Sequence, residues 1–120
     1  KQKYSLRCGD SSEMKIDPAD VFVAEPDFGK ILRKVVTKDQ AEKMQRRFGR
    51  LMVDVLNNVK KSVKGRFVFT APLIRIGKKR VGCDIDMILQ RTGLDLIEGF
   101  PIDEYRKNQI VGRQIFVLEK

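Results

Sequence analysis

From about Asp39 to Val63 this chain repeats apolar residues at helical spacing. Ala41, Met44, Phe48, Leu51, Met52, Val55, Val59 and Val63 fall on one side at about 100° per residue. Lys43, Arg46, Arg50, Asn57, Lys61 and Lys64 fall on the other. Just before it, Thr37 stands three residues ahead of Gln40, the spacing of a capping box. A long helix with one apolar face must bury that face against a second layer. This stretch therefore commits the chain to a layered, folded domain with a basic helix back turned to solvent.

The helix sits in a block of positive charge. Between Lys30 and Arg80 there are sixteen Lys/Arg and three Asp/Glu, while residues 1–29 and 81–120 are both mildly acidic. The formal net charge of +9 is thus concentrated, and its expected partner is a polyanion or an acidic protein surface. Within the helix Glu42 and Asp54 offer i,i+4 carboxylates, too few to neutralise the stripe.

At 120 residues with 42% hydrophobic content the chain is long enough for one cored domain. No apolar run reaches membrane-spanning length, and no charged-then-apolar leader opens the sequence, so the expectation is an intracellular protein, cytoplasmic or nuclear, with no membrane partner. Histidine is absent, which removes the commonest general base and metal ligand. Cys8 and Cys83 form no C-x-x-C and read as reduced, buried small hydrophobes. These features predict no enzyme activity, no metal and no cofactor.

Along the chain, residues 1–38 read as an acidic accessory segment and residues 39–120 as the domain proper. Lys3 to Cys8 suggests a short strand, Asp17-Pro18 a helical turn through Val21 and Phe22, and Phe28 to Val36 an amphipathic helix. Asp27-Phe28-Gly29 lacks the companion motifs of a kinase. Gly65 ends the long helix, and Arg66 to Thr70 is rich in β-formers before Pro72 breaks the run. Leu73 to Gly93 reads two ways. As a hairpin it turns at Gly77-Lys78-Lys79-Arg80. As a helix it starts at an Asp84 cap, with Asp86 complementing the dipole, and stops at Gly93. Ile110 to Leu118 is a strand pattern.

Leu73 to Gly99 resembles the core of the KH (K-homology) RNA-binding domain. Ile76-Gly77-Lys78-Lys79 matches the start of its Gly-flanked loop, Ile85 and Ile88 lie three and six positions after Gly82, and Leu94 to Ile97 resembles the following strand. The loop, G-K-K-R-V-G, is two residues longer than the family's G-x-x-G, and the usual closing helix is missing. The resemblance implies an α+β fold, a small three-stranded sheet (66–71, 94–98, 110–118) with helices packed on one face. It implies non-catalytic binding of single-stranded RNA, with single-stranded DNA second, in a larger post-transcriptional regulator. Gly77, Lys78, Lys79, Arg80 and Gly82 would meet phosphates, and Ile76, Ile85 and Leu96 would line a base groove. Lys43, Arg46, Arg50, Lys61 and Lys64 would extend the electrostatic track. The alternative is a degenerate KH-like module that binds a protein instead of RNA.

Neighbouring patterns carry less. Cys83-Asp84 stand where a phosphate-binding NTPase loop needs Lys and Ser/Thr, and Lys64 to Phe69 only partly matches an RRM strand.

Overall fold

The long helix, α1 (Lys38–Val59), starts where the capping box places it. Thr37 Oγ1 accepts from the Gln40 N–H at 3.2 Å, and Gln40 Oε1 accepts from the Thr37 N–H at 3.0 Å. The computed structural model describes residues 4–26 and 35–120. The helix ends earlier than its apolar pattern suggests, because residues 60–62 turn so that Val63 can bridge to Ala19. Its buried face is also rotated from the expected one. Gln45, Val53 and Leu56 are buried beside Phe48, Met52 and Val55, whereas Leu51 remains 38% exposed.

The helix lies on a mixed sheet. The central pair is β2 (Phe67–Ile76) and β6 (Val111–Glu119), antiparallel over eight residue pairs from Phe67↔Leu118 to Ile74↔Val111. On the outer edge of β2 lie β1 (Phe22–Ala24), which is parallel, and β3 (Lys79–Val81), which folds back as a hairpin. On the outer edge of β6 lie β4 (Asp95–Leu96) and β5 (Ile102–Glu104). A second helix, α2 (Ile85–Thr92), connects β3 to β4.

The α+β class expected from the sequence holds, but among the described residues the sheet has six strands rather than three. The reasons are local. Val21-Phe22-Val23 favours strand over the expected helical turn, so the acidic N-terminal segment contributes a parallel strand to the sheet. Residues 4–8 form no strand, and the helix expected over Phe28–Val36 falls largely outside the described residues. Pro72 does not break β2. Arg75 N–H donates to Ile110 O at 2.8 Å, so by strand alternation the nitrogen of residue 72 faces away from β6. It faces the gap between β1, which pairs with residues 67–69, and β3, which pairs with 74–76. A missing N–H is tolerated at such an edge.

One face of the sheet makes the core. Phe69 stacks on Phe116 (centroids 5.4 Å apart) and tilts against Phe48 of α1 (6.5 Å), with Phe67, Leu118, Met52, Leu56 and Ile88 completing the cluster. Gly65 admits the N-terminal segment. Its N–H donates to Asp20 O at 2.8 Å, and a Cβ there would collide with that same oxygen. On the reverse face, cross-strand rows run Val23–Val68–Val117 and Thr70–Ile115–Ile102. Val23 is 73% and Ile102 49% exposed at the ends of these rows.

Candidate nucleic-acid interface

Both readings of Leu73 to Gly93 hold in part. Gly77, at φ +60°, opens the β2–β3 hairpin turn, and the chain then becomes helical at Ile85. Asp84 caps α2 by accepting from the Met87 N–H at 3.1 Å, and Gly93 closes it in the left-handed conformation. Asp84 and Asp86 thus serve the helix start. The Gly-flanked segment therefore forms the turn and the second arm of a hairpin. Helix α2 starts three residues beyond Gly82, behind the Asp84 cap.

The expected site residues separate into three places. Lys78 and Lys79 are exposed at the hairpin tip. Arg80 is engaged structurally. Its Nη2 donates to Arg106 O (3.1 Å) and Gln109 O (2.7 Å), and its guanidinium lies 4.0 Å over the Tyr105 ring. That clasp holds the β5–β6 connection. Gly82 lies against the Gln114 side chain. Ile85 and Leu96 pack against the core cluster, Leu96 opposite Leu118, and Ile76 ends β2, so these three do not converge on one base-binding groove. Lys43, Arg46 and Arg50 are exposed along the first half of α1, while Lys61 and Lys64 follow its far end.

Where α1 meets α2, the two helices run side by side. Gly49 packs against Met87, Asn57 Nδ2 reaches Arg91 O at 3.4 Å, and Lys60 Nζ reaches Thr92 O at 2.8 Å. Both helices therefore start at the end of the sheet where β1 finishes. In open α/β sheets the carboxyl ends of the strands are the usual ligand side. Toward that end α1, the close of β3 and α2 enclose a groove of about 470 Å³. Arg46, Arg50 and Gly82, all expected to bind, line it together with Gln45, Cys83 and Arg91, which the sequence reading did not select. Gln45 stood in plain view as a polar residue inside an apolar stripe. Arg91 carried no comparable signal.

Gln45 is 6% exposed, and its Nε2 donates to Pro72 O (2.8 Å) and Val81 O (2.9 Å). One side chain thus ties the helix to both arms of the hairpin. Near the carboxyl end of β1, Arg113 bridges Glu104 (2.7 Å) and Glu25 (2.8 Å), and these carboxylates, Glu104 foremost, hold its guanidinium more firmly protonated than usual.

The two cysteines differ. Cys8 is exposed, contrary to the expectation of burial, and Cys83 is half-buried against the core. Burial pushes the Cys83 thiol from 9.0 up to about 12, and the neighbouring Asp84 charge adds to the rise. The thiolate is the reactive form, so at pH 8 a thiol-alkylating reagent is expected to label Cys8 within minutes and to leave Cys83 untouched until the protein is unfolded. Peptide mapping of the alkylated protein checks this. Equal labelling of both residues in the native state would contradict the placement of Cys83.

The fold defined by these elements is a mixed sheet, with a parallel β-α-β crossover on one edge and an antiparallel strand in its middle. Among solved structures it is similar to that of a candidate DNA modification methylase from Thermus thermophilus. The likeness has a TM-score of 0.50 at 15% sequence identity and covers 93% of this chain. This chain spans 50% of the methylase chain. No protein family and no curated protein matches the sequence. At that identity the likeness establishes shared fold, and it corrects the functional expectation. The fold points to a methylase-like architecture, so non-catalytic RNA binding of the KH type is set aside, as is the degenerate KH-like protein-binding alternative. The expectation of no enzyme activity is likewise corrected, since the similar fold is that of a candidate methylase. Among the described residues no helix is long and apolar enough to cross a membrane.

Proposed function

We propose that this chain is one half of a methylase-like enzyme that modifies nucleic acid, the half that presents a basic surface to the substrate. The observation that carries this reading is the likeness itself. Nearly the whole chain superposes on a fold of which it supplies half the length. Two further features support it. The basic back of α1 has few acidic partners: among the described residues its basic side chains make one ion pair, Lys38 with Glu42 at 3.8 Å. The reverse face of the sheet carries apolar rows that end in the exposed Val23 and Ile102, an apolar surface left for a further layer.

Methyl transfer requires a donor. Open α/β sheets hold nucleoside-sized groups at Gly-rich strand-to-helix turns. Among the described residues Glu25-Pro26 follow β1, with Glu25 engaged by Arg113, and Gly77 after β2 serves a hairpin. The described residues form no such turn and do not by themselves fit the donor.

The test is methyl incorporation by the complete protein. Incubated with a tritium-labelled sulfonium methyl donor and either DNA or RNA, it is expected to transfer label to the nucleic acid. Binding of nucleic acid without any label transfer would overturn the enzymatic reading.

A further inference from the structure

The groove between α1 and α2 carries an arrangement that neither the fold nor the likeness assigns. Three guanidinium side chains, Arg46, Arg50 and Arg91, line one cleft of about 470 Å³. Among the described residues none of them forms an ion pair. The two carboxylates that also line the cleft are engaged elsewhere. Glu42 pairs with Lys38 on α1, and Asp84 accepts from the Met87 N–H as the α2 cap. Three cations that share a cleft and repel one another are an arrangement that an anion relieves, and arginine forks match phosphate oxygens two at a time.

A second observation narrows the ligand. Gln45, more than nine-tenths buried in the wall of the cleft, has committed both Nε2 protons to Pro72 O and Val81 O. Its Oε1 is buried without a hydrogen-bond partner. Turning the amide over would set an oxygen against two carbonyl oxygens, so the acceptor stays where it is. An unpaired buried acceptor asks for an N–H or O–H donor. Gln45 also lines the cleft, and a nucleotide unit offers N–H donors beside its phosphate where a bare phosphate offers none.

We infer that this groove seats the phosphodiester backbone of a nucleic-acid strand, with Arg46, Arg50 and Arg91 on the phosphates and Gln45 beside them. The inference rests on the nucleic-acid reading above and localises it. Lys61 and Lys64, past the far end of α1, then contribute only to the general field.

Binding of the complete protein to labelled single-stranded DNA and RNA of about twelve nucleotides tests it, with affinity followed against salt concentration. The variant Arg46→Ala/Arg50→Ala/Arg91→Ala is expected to bind at least about tenfold more weakly, with its salt slope reduced by about two to three. Lys61→Ala/Lys64→Ala is expected to lose clearly less per charge removed. All three arginines are exposed, so the triple variant should keep its native circular dichroism and melting temperature. Equal losses per charge from the two variants would mean a diffuse field and overturn the groove. Unchanged affinity in the triple variant, with methyl transfer intact, would overturn the groove alone. A wild-type protein that binds neither nucleic acid would overturn both this inference and the functional reading beneath it.

Discussion

Replacing Phe69 by alanine is expected to destabilise the protein by about 3–5 kcal/mol, measured by urea unfolding of the variant beside the wild type. Phe69 is fully buried at the middle of β2, stacked on Phe116 and tilted against Phe48. Its ring is therefore the contact through which the central strand pair and the long helix form one core. Truncation removes the transfer free energy of the ring and leaves a cavity between elements that cannot close around it, because both strands are held by the β2–β6 ladder. Domains of this size have about 5–15 kcal/mol in total, so a large share of the stability goes with one side chain. A loss below about 1 kcal/mol would show that the α1–sheet contact does not hold the fold together.

Gln45→Leu is expected to cost about 2–4 kcal/mol, despite a near match in volume and a gain in hydrophobicity. The substitution strands two carbonyl oxygens, Pro72 O and Val81 O, that Gln45 Nε2 now satisfies at 2.8 and 2.9 Å. An unpaired buried acceptor carries most of the desolvation penalty of the group, which outweighs the apolar gain. The variant also relieves the unpaired Oε1, so a small loss or a gain in stability would mean that this orphan outweighs the two bonds. Urea unfolding separates the outcomes, and hydrogen exchange at β3 reports whether the hairpin has come loose.

The elements that local chemistry dictates were legible in the sequence. The Thr37–Gln40 box, the Asp84 cap and the Gly93 stop each involve residues within four positions of one another, and each stands where the sequence placed it. The strand at 111–119 was legible from its composition. What was not legible depends on partners remote in the chain. Phe22–Ala24 is a strand because residues 67–69 offer it an edge, and nothing near Phe22 announces that pairing. Pro72 reads as a strand breaker until the pairings of the described residues show no strand on its nitrogen side. The groove was half legible. Arg46 and Arg50 stand out on the helix back, but Arg91 reaches them only through the packing of α2 on α1. The KH-like spacing of Gly77, Gly82, Ile85 and Ile88 is compatible with a hairpin followed by a helix, because glycines and aliphatics at such offsets suit either.

The position of Pro72 has a consequence for how the protein behaves in a crowded solution. Among the described residues no strand pairs with the outer edge of β2 over residues 70–73, between β1 and β3, the kind of site at which a stray extended segment could add itself to a sheet. There the chain offers no N–H at Pro72, and the carbonyl of the same residue is already occupied by Gln45. An incoming segment would find neither a donor nor a free acceptor at the centre of the gap. The residue that looks like an interruption of the strand thus guards the sheet against templated aggregation.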